Sequence, residues 1–449
     1  MSPVPRTHLA GRRRFKGLTQ ETAAEAVGVT PTTWARWERG QQGIRAYYWP
    51  RIAEILGVQE SDLARLLGLT AEDTPTRPLG ITAVVDEATR LWRSEMETDR
   101  RALLAALPFI PSALGEWLLS YTHDTPPAAT ARQGPGPRVG LSDATRIREA
   151  RDAFKKLDSQ FGGGMVRSAV VDYLHTNVTP LLKGTYTSDV GAELLGAAAY
   201  MTGLAAWTAF DLEQHGQAQQ HYTQALSLAK AGGDTLTAVW LLSAMSLQAF
   251  HLDEPRWAQR LTSAAQDTAR KADAPPVVMA MVSIRRARAL ALSTQPDPGS
   301  GPVRNDLQVG KLLDEATHAF DRGRTDRDPD WAQFYEEAWH ISEEGRVWSL
   351  LGNHQRALGH ADDAISSYTG GTRRRSIQLN RLEAAKAHLA MGDLEQSLAC
   401  ARLAVPAVKS LTSTRAAHLA HRFADRLEPY GTSPHVREFR DLLKAELSA

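Results

Sequence analysis

A single cysteine, Cys400, stands in a chain of 449 residues. No disulfide can form within such a chain, and a reducing compartment is the natural expectation. Alternating Val, Ile and Thr runs are nearly absent, which argues against sheet-rich classes. Long hydrophobic runs are missing too. The most apolar stretch, LLGAAAYMTGLAAWTAF over 194–210, is short for a bilayer and rich in Ala and Gly, so a buried helix is expected there and no membrane partner. The first twenty residues are polar and arginine-rich, without the apolar centre of a secretory signal. An excess of one charge is also lacking: 52 Lys and Arg face 51 Asp and Glu. The chain as a whole is no polycation, and a cytoplasmic location is expected.

What is present is helical periodicity almost throughout, cut by breaker-rich segments. Residues 70–80 (TAEDTPTRPLG), 123–140 (HDTPPAATARQGPGPRVG) and 294–305 (TQPDPGSGPVRN) hold the Pro and Gly clusters. The second is expected to be a flexible linker. Residues 81–121 read as one long amphipathic helix and a shorter one after its prolines. The division that follows is 1–69, a connector and linker over 70–140, and a body over 141–449. Charge is uneven across it, since residues 1–69 hold ten Lys and Arg against six Asp and Glu. A small basic domain on a near-neutral body points to one part that meets an anion.

From about residue 141 the sequence repeats. HGQAQQHYTQALSLA, EPRWAQRLTSAAQDTA, GNHQRALGHADDAIS and GDLEQSLACARLAV carry small or medium side chains at matching offsets. These are Ala218, Tyr222 and Ala225; Ala258, Thr262 and Ala265; Ala357, Ala361 and Ala364; Ser397, Ala401 and Ala404. Val309, Leu313 and Ala316 form a weaker copy. Offsets of four and three make one stripe on a helix, where small residues let a neighbour approach closely. Each copy follows another helix, so the unit is a helical hairpin that must stack to bury its apolar face.

The most specific stretch is GLTQETAAEAVGVTPTTWARWERG, residues 17–40. It predicts two short helices crossing at a tight turn. Ala24 would sit where they touch, Gly28 in the turn, and Thr30 and Pro31 at the start of the second helix. Trp34 and Trp37, three apart, would wedge into the core and leave Thr32, Thr33 and Arg36 on the outer face. Such a face suits the DNA major groove, where Arg bonds a guanine edge and Thr meets a base edge or a thymine methyl. Gln20 is placed to grip a phosphate, and Arg13, Arg14, Lys16, Arg39 and Arg45 flank the unit as backbone contacts. Thr30 completes the candidate DNA-binding set. A plain helical hairpin with no nucleic-acid role is the alternative.

This stretch, with YYWPRIAEILGV over 47–58, resembles the phage-repressor or XRE type of helix-turn-helix domain in its T-Q pair, turn glycine and closing E-R-G. TRLWRSEMETDRRALL (89–104), VRSAVVDYLHTNVTPLLKGTYTSDVG (166–191) and the repeats after them are similar to actinobacterial XRE-type regulators with a tetratricopeptide-like C-terminal domain. MGDLEQS and LLGNHQRA look like the turns of such repeats, although the spacings of 40, 51, 48 and 40 residues exceed the usual ~34. The resemblance implies an all-α chain: a five-helix repressor-like domain over 1–69 and a superhelix of tetratricopeptide-like hairpins over 141–449. It implies a DNA-binding transcriptional regulator, often one linked to antibiotic production or development; a homodimer on a two-fold operator and a nucleoid-associated location are expected with it. Trp34 and Trp37 replace the usual aliphatic wedge, and Pro31 occupies a position that often carries a base-reading side chain.

The register of the repeats points Tyr200, Trp207, Trp240, Phe250, Trp339, Ser342, Glu343, Arg346, Leu382, Glu383 and Lys386 toward a concave groove, and SIRRARALALS adds Arg285 and Arg288. Aromatics beside a few charges suit an extended peptide or a small amphiphile, against the alternative that they are ordinary core and paired surface charge; the resemblance to regulators with such repeats implies that the groove can take a signalling peptide. No cofactor, metal or enzymatic activity is expected. FGGGMVRS (161–168) lacks the Lys-Ser/Thr of a phosphate loop. His418 and His421, near Asp425, lack a clear third zinc ligand. Cys400 lies among alanines with no evident base. A protein–protein adaptor with only weak DNA tethering is the rival to the regulator.

Overall fold

The computed structural model describes residues 7–39, 41, 44, 49–58, 80–97, 109–110, 118, 131–293, 306–368 and 373–447. The chain is all-α. Among the described residues there is no strand, only two isolated bridges, Arg132 to Tyr186 and Arg138 to Thr185. Two compact units share it: residues 1–79 with 106–125, and residues 80–105 with 126–449.

The first unit contains α1 (Thr7–Phe15), α2 (Gln20–Val27), α3 (Pro31–Glu38) and α4 (Trp49–Leu56). The segment in which a fifth helix is expected before residue 69 lies outside the described residues. The helix starts follow from their caps. Thr19 accepts from the Thr22 amide in a capping box, and Thr30 accepts from the Thr33 amide with Pro31 at the first helical position. Gly28 closes α2 at φ +81°, where a Cβ would be strained. Leu9, Ala24, Val27, Trp34, Trp37, Ile52 and Leu56 are fully buried together, and the two indoles sit 5.8 Å apart at 56°.

The second unit opens with α5 (Ile81–Met96), α6 (Leu141–Phe161), α7 (Gly163–Tyr173), a short π turn over 174–178 and α8 (Thr179–Leu182). Five helical pairs follow: α9 (Ser188–Asp211) with α10 (His215–Gly232), α11 (Thr235–His251) with α12 (Pro255–Lys271), α13 (Pro276–Ser293) with α14 (Asp306–Asp321), α15 (Glu337–Leu350) with α16 (His354–Ser367), and α17 (Arg374–Ala390) with α18 (Leu394–Lys409). Helices α19 (Thr414–Asp425) and α20 (Pro434–Leu447) close the stack around Phe423 and Phe439. All five sequence stripes, from Ala218–Tyr222–Ala225 to Ser397–Ala401–Ala404, are buried. They lie on the second helix of each pair and seat it against its neighbours. The apolar 194–210 stretch is a buried helix, as its composition predicts.

Two segments differ from expectation. Helix α5 is no connector: it packs on α7 and α10, with Trp92 fully buried and Glu95 held by Arg167 (2.7 Å) and by His221. The end of the expected flexible linker is likewise fastened. Gly134 and Gly136 press so close to the 180–184 backbone that a Cβ at Gly134 would fall 2.1 Å from the Lys183 carbonyl oxygen. Those glycines serve close approach rather than flexibility.

The first helices α9, α11, α13, α15 and α17, with α6 and α19, surround one cavity of about 450 Å³. Arg375 closes the circuit between α17 and α9, reaching Asp158 at 3.2 Å and Asp211 at 2.8 Å. Arg415 joins it on Asp211 at 3.1 Å.

Candidate nucleic-acid interface and interior cavity

In the first unit the outer face of α3 and the face packed behind it are sharply divided. Trp34 and Trp37 are 0% and 1% exposed, whereas Thr32 and Arg36 are exposed. Thr33 is half-buried, its hydroxyl 2.9 Å from that of Thr30 in the cap. Thr30 is exposed but its oxygen already accepts the Thr33 amide. Arg14, Lys16 and Arg39 are exposed around the same unit, although the Arg39 Nε leans back on the Ala35 carbonyl at 3.2 Å. Arg45 lies outside the described residues.

Arg13 and Gln20 are corrections. Arg13 turns inward, 6% exposed, and donates from Nε and Nη2 to Glu38 at 2.6 and 3.2 Å and from Nη1 to the Leu18 carbonyl. A guanidinium held by a buried carboxylate is not available to a phosphate. Gln20 commits its amide to the same Glu38 at 2.6 Å, and Trp34 donates its indole N–H there at 2.8 Å. Burial would raise the Glu38 carboxyl, but these donors, Arg13 first, hold it below its ordinary value. Glu38 is thus the fastener of α1, α2 and α3. The sequence shows it only as the glutamate of the closing E-R-G; the Trp34–Glu38 spacing of one helical turn was the available signal. Arg12 ties α1 to the end of α4 through the Leu56 and Gly57 carbonyls. Its guanidinium is therefore engaged as well.

In the second unit the repeat register brings most of its predicted residues together. Trp207, Trp240, Phe250, Arg285, Arg288, Trp339, Ser342, Glu343, Arg346, Glu383 and Lys386 all line the cavity. Tyr200 does not. It is buried beneath Arg151, 3.7 Å from the guanidinium, and edge-on to Trp240. Seven residues before Trp207, it is two turns along α9 and beyond the cavity wall. Leu382 is buried instead in the core around Phe423. Glu343 is the electrostatic centre, with Arg288 and Arg346 at 3.2 Å and Arg285 at 3.8 Å. Burial raises its carboxyl, yet the three guanidiniums overcome that and hold it at about 2.

The glycine run of FGGGMVRS is a packing contact. The Gly163 N–H donates to Asp211 at 3.0 Å, and the Gly164 N–H to the Thr412 carbonyl at 2.9 Å. Cys400 is half-buried, and burial pushes its thiol up. The histidine pair of α19 is split: His418 reaches Glu213 at 3.0 Å, while His421 is exposed. A group the sequence did not reveal lies beside it. Glu213, His215 and His251 offer donor atoms within 4.8 Å of one another, a set chemically able to hold a cation. Glu213 is also bonded to His251 at 2.9 Å.

Among the described residues no helix is long and apolar enough to cross a membrane. No curated protein matches the chain. Residues 6–66 match the family model of a helix-turn-helix domain, and with the α2–Gly28–α3 geometry this identifies the N-terminal segment as a helix-turn-helix domain of the DNA-binding kind.

Proposed function

We propose that this chain is a sequence-specific DNA-binding transcriptional regulator of the cytoplasm, acting by binding rather than catalysis. In this reading α3 enters the major groove. Thr32 and Arg36 meet base edges, with Thr33 beside them, while Arg14, Lys16 and Arg39 neutralise phosphates. The observation that carries it is the division of α3, with indoles wholly inside and Thr32 and Arg36 outside. Few side chains reach the bases from one such helix. A homodimer on a two-fold site would supply the missing affinity through effective concentration. The second unit is read as a tetratricopeptide-like body that dimerises, senses a ligand in its cavity, or both. A ligand acts there only if it binds one arrangement of the protein better than another. The sequence resemblance to actinobacterial regulators supports a role in secondary metabolism or development.

The test is a salt titration of full-length protein on DNA enriched from a random pool, with competitor DNA present. A regulator loses affinity steeply as salt rises, with a log–log slope of about −0.9 per neutralised phosphate, and keeps its preference for the enriched sequence. A protein–protein adaptor tethered weakly to DNA shows no such preference, and that result overturns the reading.

A further inference from the structure

The cavity of the second unit carries more positive charge than its own walls compensate. Among the described residues eleven Lys and Arg line it against three Asp and Glu. Asp152, Asp158, Asp211 and Glu336 hold some of these cations from behind the wall. Counting them leaves eleven cations against seven acids. The imbalance is concentrated around Glu343 and Glu383, where two carboxylates face four cations, Arg285, Arg288, Arg346 and Lys386. Arg285 is 3% exposed, and its Nε makes no hydrogen bond among the described residues. The hydroxyl of Ser243, 1% exposed in the facing wall, has no partner either. Buried donors of this kind ordinarily have acceptors.

The same cations lie over aromatic rings. The Arg285 guanidinium is 4.8 Å from the Trp339 ring and that of Arg288 is 4.4 Å from Phe250. A head group meeting the guanidiniums would therefore have flat apolar surface beside it. Desolvation agrees with this picture, since burial lowers Arg285 to about 10 despite Glu343. A volume of about 450 Å³ falls within the ~300–1,000 Å³ of small-molecule sites; a folded partner does not fit.

We infer that this cavity binds a small anionic amphiphile, a carboxylate, sulfonate or phosphate head on an aromatic or aliphatic body, with the head at Arg285, Arg288 and Arg346 and the body against Trp339 and Phe250. This rests on the reading of the cavity as a sensory site and names the class of its ligand. Guanidiniums favour such heads because their paired N–H groups match two oxygens of one anion. The ligand also supplies negative charge that Glu343 and Glu383 leave short.

The test uses two fluorescent probes of one shape on the full-length protein: 8-anilinonaphthalene-1-sulfonate and its uncharged parent, N-phenyl-1-naphthylamine. The sulfonate is expected to bind at one site per chain, at least about tenfold tighter than the neutral probe. Arg288→Gln and Arg346→Gln each leave Glu343 with two cations, so the fold should persist, as an unchanged melting temperature would show. Each should weaken the sulfonate about tenfold and leave the neutral probe unaffected. Equal binding of both probes, or sulfonate binding untouched in both variants, overturns the anionic class while leaving the cavity as a sensory site. Binding of neither probe removes the sensory reading itself and, with it, this inference, and leaves the DNA-binding proposal standing.

Discussion

The Arg13 guanidinium meets the Glu38 carboxylate at 2.6 Å, both groups buried, across 25 residues of chain. The pair joins the first helix of the helix-turn-helix domain to the end of the third. Gln20 and the Trp34 indole complete the carboxylate's bonding. Breaking a buried pair from one side leaves an uncompensated charge, at a cost of about 3–5 kcal/mol. Glu38→Ala is therefore expected to loosen the whole first unit. Hydrogen exchange of the full-length protein should show lost protection in peptides over 7–39 and none lost over 188–250. Unchanged protection over 7–39 would refute the fastening role.

Two glycines whose missing Cβ would meet nothing within 4 Å should respond oppositely to alanine. Gly392, between α17 and α18, has φ +85°, so Gly392→Ala is expected to cost about 1–2 kcal/mol from backbone strain alone. Gly359 lies inside α16, where alanine gains about 0.8–1 kcal/mol of helix propensity. Thermal denaturation of the two variants checks the pair, with the melting temperature falling in the first and rising in the second. Movement in the same direction would contradict the assignment.

Acid should weaken the second unit in two overlapping stages. Burial, reinforced by the neighbouring His251, lowers His215 to about 4 from 6.5, with Glu213 opposing and His418 also facing the group. The unfolded chain takes that proton first, so this contribution is full above pH 6.5 and disappears as pH falls toward 4. Glu95 and Glu343 are held at about 2 against 4.5, because His221 and Arg167, and the three guanidiniums, outweigh burial. Their contribution is full above pH 4.5 and is lost as pH falls toward 2. Melting temperature against pH should show both limbs, and His215→Gln should shrink the upper one, to which His251 and His340, also lowered by burial, contribute the rest. An upper limb unaltered by that substitution would contradict the assignment to His215.

Much of this was legible because its signals are local. The turn glycine, the threonine caps and the indole spacing belong to one short stretch, and the small-residue stripes recur at fixed offsets. The repeat register even carried Trp207, Trp240, Trp339 and Glu343 to one cavity. What stayed hidden depends on partners far apart in sequence. Arg13 looks like any surface arginine until Glu38 stands beside it. Asp158 and Arg375 meet across 217 residues, and Glu213 gathers histidines from three helices. Turns hid in a different way. Gly352 and Gly392 mark two hairpin turns by residue type, while Glu213 and Asp253 adopt the same positive φ, 58° and 53°, with side chains that give no such signal. Gly134 and Gly136 read as flexible for the opposite reason, since composition does not distinguish a loose linker from a backbone pressed against another.

In the proposed function α3 reads DNA sequence with an outward face held by two buried indoles. The most direct measurement compares sequences enriched from a random DNA pool by the full-length protein and by its Arg36→Ala variant, with helical content and melting temperature confirmed equal. The wild-type protein is expected to enrich a defined motif. The variant should lose preference at one position, by about 1–3 kcal/mol, while phosphate-driven binding persists. An identical motif with identical discrimination in both proteins, or no enriched motif at all, would refute sequence reading by α3.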